Sequence, residues 1–191
     1  MRKSAVFRLC LDSLLAALYF VLALYSVKLG NIRITFASFA IVLVGLLYAP
    51  SDALLVAFIG EMLSQLLQYG FSPTTFLWII PSLFRAGMIS LFQVIERRRG
   101  TYLEDHIILY SLCMILTFLG TTLLNTGLIF LDAYLMKYPV SFTILETVFR
   151  FLSSIVTCVM VSILCLFLIK ALSKADIGRI PCKKKEESHH P

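Results

Sequence analysis

The sequence has almost none of the side chains that membrane enzymes use for catalysis or metal binding. Only three of its 191 residues are histidines, and His106 alone lies outside the C-terminal tail. Neither an intramembrane Ser–His pair nor a histidine-rich metal site can therefore form. A phosphate-binding G-x-x-x-x-G-K-[ST] loop is absent too, so the chain cannot use ATP by itself. The five cysteines follow no metal-ligand or disulfide spacing. These absences argue against an enzyme.

Charged residues are also scarce. They make up 15% of the chain, whereas 59% of it is hydrophobic and the mean hydropathy is +0.90. A soluble domain is typically about 45–50% apolar, so the composition predicts an integral membrane protein. At about 20 residues per crossing, the length allows about five to seven spans and no sizeable soluble domain. The net charge of +6 lies in short segments at the ends of apolar runs. We therefore expect a lipid bilayer around the chain and no nucleic-acid partner.

Six apolar runs are separated by turn residues and short charged loops. This pattern predicts an all-α bundle of six transmembrane helices over residues 1–181, followed by a basic, disordered tail over residues 182–191. The predicted spans are Leu9–Val27, Ile34–Tyr48, Ala53–Tyr69, Thr75–Ile95, Ile107–Leu131 and Glu146–Leu172.

Lys and Arg residues are distributed unequally between the two sides of this topology. Twelve lie on the side that holds both termini and the Arg97–Arg99 cluster, and three lie on the other side: Lys28, Arg33 and Lys137. Cytoplasmic loops collect Lys and Arg. The sequence therefore predicts that both termini are cytoplasmic.

Polar side chains within the predicted spans gather in the outer half of the membrane. Together with aromatic neighbours they fit a small-molecule pocket that opens outward. A purely structural role, in which they hydrogen-bond one helix to another, stays open but would require no such sidedness. The candidate ligand-binding residues are Arg33, Thr35, Gln65, Gln68, Trp78, Arg85, Asn125 and Arg150.

Glu61 and Arg85 lie deeper in the membrane than the other polar residues. Each is about eight to ten residues, or roughly 12–15 Å, from the outer end of its span. Because buried membrane charges usually pair, we expect a Glu61–Arg85 ion pair, with Arg33 and Arg150 nearer the ligand. The alternative is that Arg85 neutralises a carboxylate of the ligand.

Four short stretches and one arginine carry a resemblance to a known family. Ser13-Leu-Leu-Ala-Ala17 is similar to an Ala-x-x-x-Ala motif, and Gly30-Asn-Ile-Arg33-Ile-Thr35-Phe36 is similar to Arg-Ile-Ser-Phe. Leu83-Phe-Arg85-Ala-Gly87 is similar to Leu-Arg-Gly, and Leu124-Asn125-Thr126 is similar to Leu-Asn-Thr. Arg150 stands where an arginine opens span 6. In this order the motifs resemble those of the substrate-binding S component of energy-coupling factor (ECF) vitamin transporters, and most of all the folate-type subfamily.

The resemblance implies a subunit in a bacterial plasma membrane that binds a vitamin near the outer face, with no cofactor. It further implies docking on a transmembrane coupling subunit that works with two ATP-binding subunits. Ser13 and Ala17 would receive a helix of that coupling subunit, although ordinary packing within the bundle is open for such a pair of small residues. Folate suits the arginines and the aromatic residues. Cobalamin or another vitamin stays open as the ligand, and a structural or chaperone-like membrane protein stays open as the function.

Overall fold

The described part of the chain is almost entirely helical. A computed structural model describes residues 5–25, 27–29, 32–34, 36–72, 74–137 and 140–174. The predicted all-α fold is confirmed there, with one helix at each of the six predicted positions; the tail predicted at 182–191 lies outside the described residues. The helices are α1 (Ala5–Leu24), α2 (Ala37–Leu47), α3 (Pro50–Tyr69), α4 (Thr75–Arg99), α5 (Ile107–Met136) and α6 (Val140–Lys174).

A short hairpin connects α1 to α2, where the sequence predicted only a turn. Strand β1 (Val27–Leu29) pairs antiparallel with β2 (Ile32–Ile34), so that Lys28 lies opposite Arg33. Val or Ile occupies three of the six strand positions, and β-branched residues favour extended backbone. Because these residues form a strand, the second helix begins at Ala37 and not at the predicted Ile34.

Three helices end on residues with a positive backbone φ. Gly70 follows α3 with φ of 75°, Gly100 follows α4 with φ of 87°, and Lys137 follows α5 with φ of 58°. The two glycines suit this conformation because they carry no Cβ that would clash with the backbone. Since α5 continues to this point and α6 begins at Val140, most of the stretch between the fifth and sixth predicted spans is helical.

Within the described residues, four helices are long and apolar enough to cross a membrane: α3, α4, α5 and the segment Thr147–Ala171 of α6. The apolar parts of α1 and α2 are shorter. Helix α2 has 11 residues, about 16 Å of helix against a hydrocarbon core of about 30 Å. The span predicted at Ile34–Tyr48 is therefore too short to cross the membrane by itself. Ten of the 11 residues of α2 are buried, and the helix packs inside the bundle against α1, α3, α4 and α6.

Helices α1 and α3 approach each other closely at Gly60. A Cβ atom at this position would lie 2.5 Å from Cδ1 and 2.8 Å from Cγ of Tyr19, far inside the optimal carbon–carbon separation of about 3.5–4.0 Å. The absence of a side chain at Gly60 lets the Tyr19 ring lie buried against α3. This contact brings the Tyr19 hydroxyl to Glu61, the next residue on α3.

Side chains of α4 hold the C-terminal end of α2. The Gln93 amide donates to the carbonyl of Leu46 (2.8 Å), and the Gln93 side-chain carbonyl accepts from the backbone N–H of Leu103 (3.1 Å). Arg97 donates to the carbonyls of Leu46 and Tyr48. The last carbonyls of a helix have no partner within it, so these two side chains satisfy acceptors that would otherwise be left without a hydrogen bond.

Candidate ligand-binding site

A cavity of about 630 Å³ lies between the helices, and all six of them contribute to its walls. This volume is typical of small-molecule sites, which span about 300–1,000 Å³. The structure brings together six of the eight candidate ligand-binding residues in the lining: Gln65, Gln68, Trp78, Arg85, Asn125 and Arg150.

The side chains of the other two candidates, Arg33 and Thr35, lie outside the described part of the chain. Arg33 lies in β2 of the hairpin, opposite Lys28, but its side chain is outside the described part. Thr35 lies outside the described residues altogether. A ligand-binding role for both stays a prediction.

The cavity lies towards the end of the bundle where α3 and α5 end and α4 begins. Tyr69 and Thr75 line it at the α3–α4 turn, and Asp132 and Met136 line it near the end of α5. The basic cluster Arg97–Arg99 lies at the opposite end of α4. The lining reaches Arg85 on α4, which precedes Arg97 by about 12 residues, or roughly 18 Å of helix, so the cavity and this basic cluster lie apart along α4.

Glu61 lies in the cavity wall and has polar partners from three helices. Its Oε2 accepts hydrogen bonds from the Tyr19 hydroxyl and from Ser82 Oγ (3.0 Å). Its Oε1 accepts one from the side-chain amide of Gln65 (2.8 Å), one turn along α3. Charge-assisted hydrogen bonds of this kind hold a carboxylate firmly. The position of Glu61 is thus set by α1, α3 and α4 together.

Arg85 on α4 is oriented by a different pair of neighbours. Its Nη1 donates to Ser38 Oγ on α2, and its guanidinium carbon lies 5.0 Å from the centre of the Phe118 ring on α5. A guanidinium over an aromatic face is attracted by the ring quadrupole. Arg85 is therefore held by α2 and α5, which contribute none of the groups that hold Glu61.

The predicted ion pair between Glu61 and Arg85 is not formed. Among the described residues, Glu61 accepts hydrogen bonds from Tyr19, Gln65 and Ser82, whereas Arg85 contacts Ser38 and Phe118; the charges of Glu61 and Arg85 attract each other only over a longer distance. Both side chains line the same cavity. The physical reason is that each charge already has hydroxyl, amide or aromatic partners on the helices nearest to it, and these hold the two groups apart.

Uncharged polar groups make up much of the remaining lining. Some of them are hydrogen-bonded to each other: Gln68 donates to Ser64 Oγ (2.7 Å), and the hydroxyls of Thr122 and Ser154 share a hydrogen bond of 2.6 Å between α5 and α6. Ser, Thr, Asn and Gln account for half of the lining residues: Ser38, Ser64, Gln65, Gln68, Ser72, Thr74, Thr75, Ser82, Thr122, Asn125, Ser153, Ser154 and Thr157.

Several lining residues were not found by sequence reasoning. Tyr19, Ser38 and Phe118 are single residues within apolar runs, with no polar periodicity to mark them. Ser82 follows Pro81 within α4, and that proline was the one available signal of a functional irregularity. Whether Tyr19, Ser38 and Phe118 face the cavity depends on the packing of helices that are distant in sequence.

Ser13 and Ala17, the candidate docking residues, lie away from the cavity. Both are exposed on α1, next to the exposed apolar residues Leu14, Leu18 and Val21. Ser13 Oγ donates within its own helix, to the carbonyl of Leu9 (2.8 Å). The face that carries them is thus not used in packing among the described helices, and their docking role stays a prediction.

Comparison with known proteins identifies the family. Residues 4–174 match the family model described as "ECF-type riboflavin transporter, S component". The chain belongs to this family. A solved S component of a bacterial ECF transporter is similar with a TM-score of 0.63 and 16% identity, over 91% of this chain and 99% of that one; at this identity the likeness concerns the fold alone. No curated protein matches the chain.

As an S component, the chain is the substrate-binding subunit of an ECF transporter, a multi-pass protein of the cell membrane and not an enzyme. S components bind a vitamin-type ligand and couple to transmembrane and ATPase subunits. The predicted family is confirmed, which favours transport over a structural or chaperone-like role. The folate-type subfamily is not confirmed.

Proposed function

We propose that this S component captures riboflavin in the 630 Å³ cavity and presents it for uptake. The observation that carries the proposal is the charge balance of the lining. Among the described residues of the lining, two basic ones, Arg85 and Arg150, stand against two acidic ones, Glu61 and Asp132, and half are Ser, Thr, Asn or Gln. Riboflavin is uncharged and carries a polyol chain on a fused aromatic ring. Hydroxyl and amide side chains are both donors and acceptors, as a polyol requires.

Aromatic residues of the lining suit the flat part of the same ligand. Trp78, Tyr69, Phe118 and Phe149 all contribute to the cavity. Aromatic side chains pack on flat π-systems in offset-stacked or edge-to-face arrangements. A ligand with one flat aromatic end and one hydroxylated end therefore has complementary partners in this cavity for both parts.

Delivery requires the cavity to face outward and the opposite end to face the cytoplasm. The Arg97–Arg99 cluster lies at the end remote from the cavity, and cytoplasmic segments collect basic residues. In this orientation riboflavin enters from outside. The exposed Ser13 and Ala17 of α1 then form the contact with the transmembrane coupling subunit, and the two ATP-binding subunits supply the energy.

Direct titration tests the proposal. The protein is purified in detergent, any co-purified small molecule is identified by mass spectrometry, and the protein is then titrated with riboflavin and with folate while ligand fluorescence is followed. We expect riboflavin to bind stoichiometrically and more tightly than folate. Replacing the lining residue Asn125 with Leu should weaken riboflavin binding, whereas Ile163→Ala, at an exposed position of α6, should not. Tight folate binding without riboflavin binding would overturn the proposal.

Folate is the second candidate because two arginines line the cavity. Its glutamyl tail carries carboxylates, which Arg85 and Arg150 could each bind through paired N–H donors. Glu61 and Asp132 argue against folate, because their negative charges would repel its carboxylates in a low-dielectric site. The variant Arg150→Gln separates the two ligands: it should weaken a carboxylate ligand by at least about tenfold and a neutral one by less.

A further inference from the structure

Glu61 and Arg85 carry opposite charges in one cavity without touching each other. Opposite charges at membrane depth normally pair. Here Ser38 and Phe118 hold Arg85, while Tyr19, Gln65 and Ser82 hold Glu61. An acceptor and a donor of fixed position therefore face the same cavity from separate anchors. Such an arrangement is suited to a ligand group placed between them.

Glu61 retains capacity to accept a further hydrogen bond. An ionised carboxylate offers about four lone-pair sites. Two of the three bonds that Glu61 accepts go to Oε2, from Tyr19 and Ser82. Among the described residues, Gln65 alone donates to Oε1. Glu61 can therefore receive an N–H of a ligand at Oε1 without losing a partner.

Arg85 retains capacity to donate. A guanidinium has five N–H donors and no acceptor. Within the part of the chain that the structure describes, Nη1 donates to Ser38, whereas the Nε of Arg85 is buried and has no hydrogen-bond partner. Because Nε is enclosed by protein, the N–H groups of Arg85 that remain for a ligand are those on Nη1 and Nη2. Arg85 can therefore supply N–H groups to a carbonyl oxygen in the cavity.

The geometry points to a planar, uncharged group with an N–H beside a carbonyl, as in a cyclic amide or imide, as the ligand part that bridges Glu61 and Arg85. The N–H donates to the Glu61 carboxylate, and the carbonyl oxygen accepts from the Arg85 guanidinium. A ligand carboxylate fits less well, because Glu61 would repel it. The assignment rests on the proposed function, since the ring system of riboflavin carries an imide of this kind at one end, away from the central ring that bears the polyol chain.

An altered ligand tests the assignment on the unaltered protein. Wild-type protein in detergent is titrated with riboflavin and with riboflavin methylated at the imide nitrogen, which removes the N–H and keeps the polyol. We expect the methylated compound to bind at least about tenfold more weakly, since the Glu61 oxygen would lose its donor on binding. Equal binding of the two compounds would overturn the assignment and leave the proposed function standing. Failure of riboflavin itself to bind would overturn both.

A matched variant separates loss of the hydrogen bond from the bulk of the added methyl group. In Glu61→Gln the acceptor charge is gone while the side-chain shape is kept, so the preference for riboflavin over the methylated compound should shrink at least several-fold. Thermal unfolding confirms that the variant is folded, and Ile163→Ala should retain the full wild-type preference. An unchanged preference in folded Glu61→Gln would show that bulk alone causes the difference, and the assignment would be wrong.

Discussion

The guanidinium carbon of Arg150 on α6 lies 5.2 Å from the centre of the Trp78 ring on α4. Both residues line the cavity, so this cation–π contact connects two of its walls. Such a contact contributes about 0.5–1 kcal/mol when exposed and about 2 kcal/mol when desolvated. It also fixes the orientation of the indole ring, which pre-organises an aromatic surface for a ligand.

Trp78 is the single tryptophan of the chain, so its fluorescence reports on the cavity alone. We expect riboflavin to quench this emission in proportion to the bound fraction, because the ligand would lie close to the indole. The titration is made in detergent, with free tryptophan at matched absorbance as the control for light absorbed by the ligand. Trp78→Leu should weaken binding by about tenfold through the lost aromatic contact. Equilibrium dialysis measures independently when the protein is saturated with riboflavin. If the Trp78 emission is unquenched at saturation, the ligand binds elsewhere.

The class of the fold and most of the site follow from sequence patterns that have a direct physical cause. Apolar runs must become helices in lipid, because every backbone polar group needs an internal partner there. Polar residues on such helices must face the interior, and Gln65, Gln68 and Asn125 do line the cavity; their role in ligand binding stays a prediction. The same argument predicts that Arg85 and Arg150 face the interior, and both line the cavity.

Details set by contacts distant in sequence could not be predicted. The Glu61–Arg85 pair was expected from the general rule for buried charges, but the choice of partner depends on Tyr19 and Ser38, which other helices bring into place. The internal position of α2 depends likewise on the four helices around it. The apolar run that begins at Ile34 does not reveal that a strand takes up its first residue and shortens the helix that follows.

Gly60 is predicted to be required for the geometry of the cavity wall. In Gly60→Ala the new methyl group would meet the Tyr19 ring at 2.5 Å, displacing the hydroxyl that donates to Glu61. We expect destabilisation by about 1–3 kcal/mol, as for other overpacked sites, and ligand binding weakened by at least about tenfold. Gly87→Ala is the matched control, because nothing lies within 4 Å of the position that its methyl group would occupy and alanine favours the helix. Thermal unfolding and ligand titration are measured for both variants. Equal stability and equal ligand affinity of Gly60→Ala and Gly87→Ala would contradict the prediction.

Gln93 is predicted to contribute to stability without affecting ligand binding. In Gln93→Leu the backbone N–H of Leu103 loses its acceptor while buried, which costs about 1–3 kcal/mol. The unfolding temperature in detergent should fall. Ligand affinity should stay at the wild-type value, because this contact lies at the end of α4 away from the cavity. Ile95→Leu, at an exposed position of the same helix, should change neither quantity. A loss of affinity in Gln93→Leu would show that the two ends of the bundle are coupled.

The orientation in the membrane is testable at two exposed residues. Arg98 and Lys137 lie at opposite ends of the bundle, and both side chains are exposed. In a background without the native cysteines, Lys137→Cys should react with a membrane-impermeant thiol reagent added to whole cells. Arg98→Cys should react only after the membrane is permeabilised. Labelling of Arg98→Cys in intact cells would show that the orientation is the reverse of the predicted one and that the cavity faces the cytoplasm.

The docking role of α1 is testable by adding bulk at Ala17. This residue is exposed and lies away from the cavity, so Ala17→Trp should leave riboflavin binding by the isolated subunit unchanged. If a helix of the coupling subunit packs there, the indole would hold the two helices apart. Uptake of labelled riboflavin by cells that express the complete transporter should then fall at least about tenfold, in parallel with the amount of complex recovered by pull-down.

Ile163→Trp, at an exposed position of α6, is the control for a tryptophan added to the lipid-facing surface and should support normal uptake. If Ala17→Trp also abolishes binding by the isolated subunit, α1 acts in the fold and not in docking; normal uptake by this variant would place the contact with the coupling subunit on another helix.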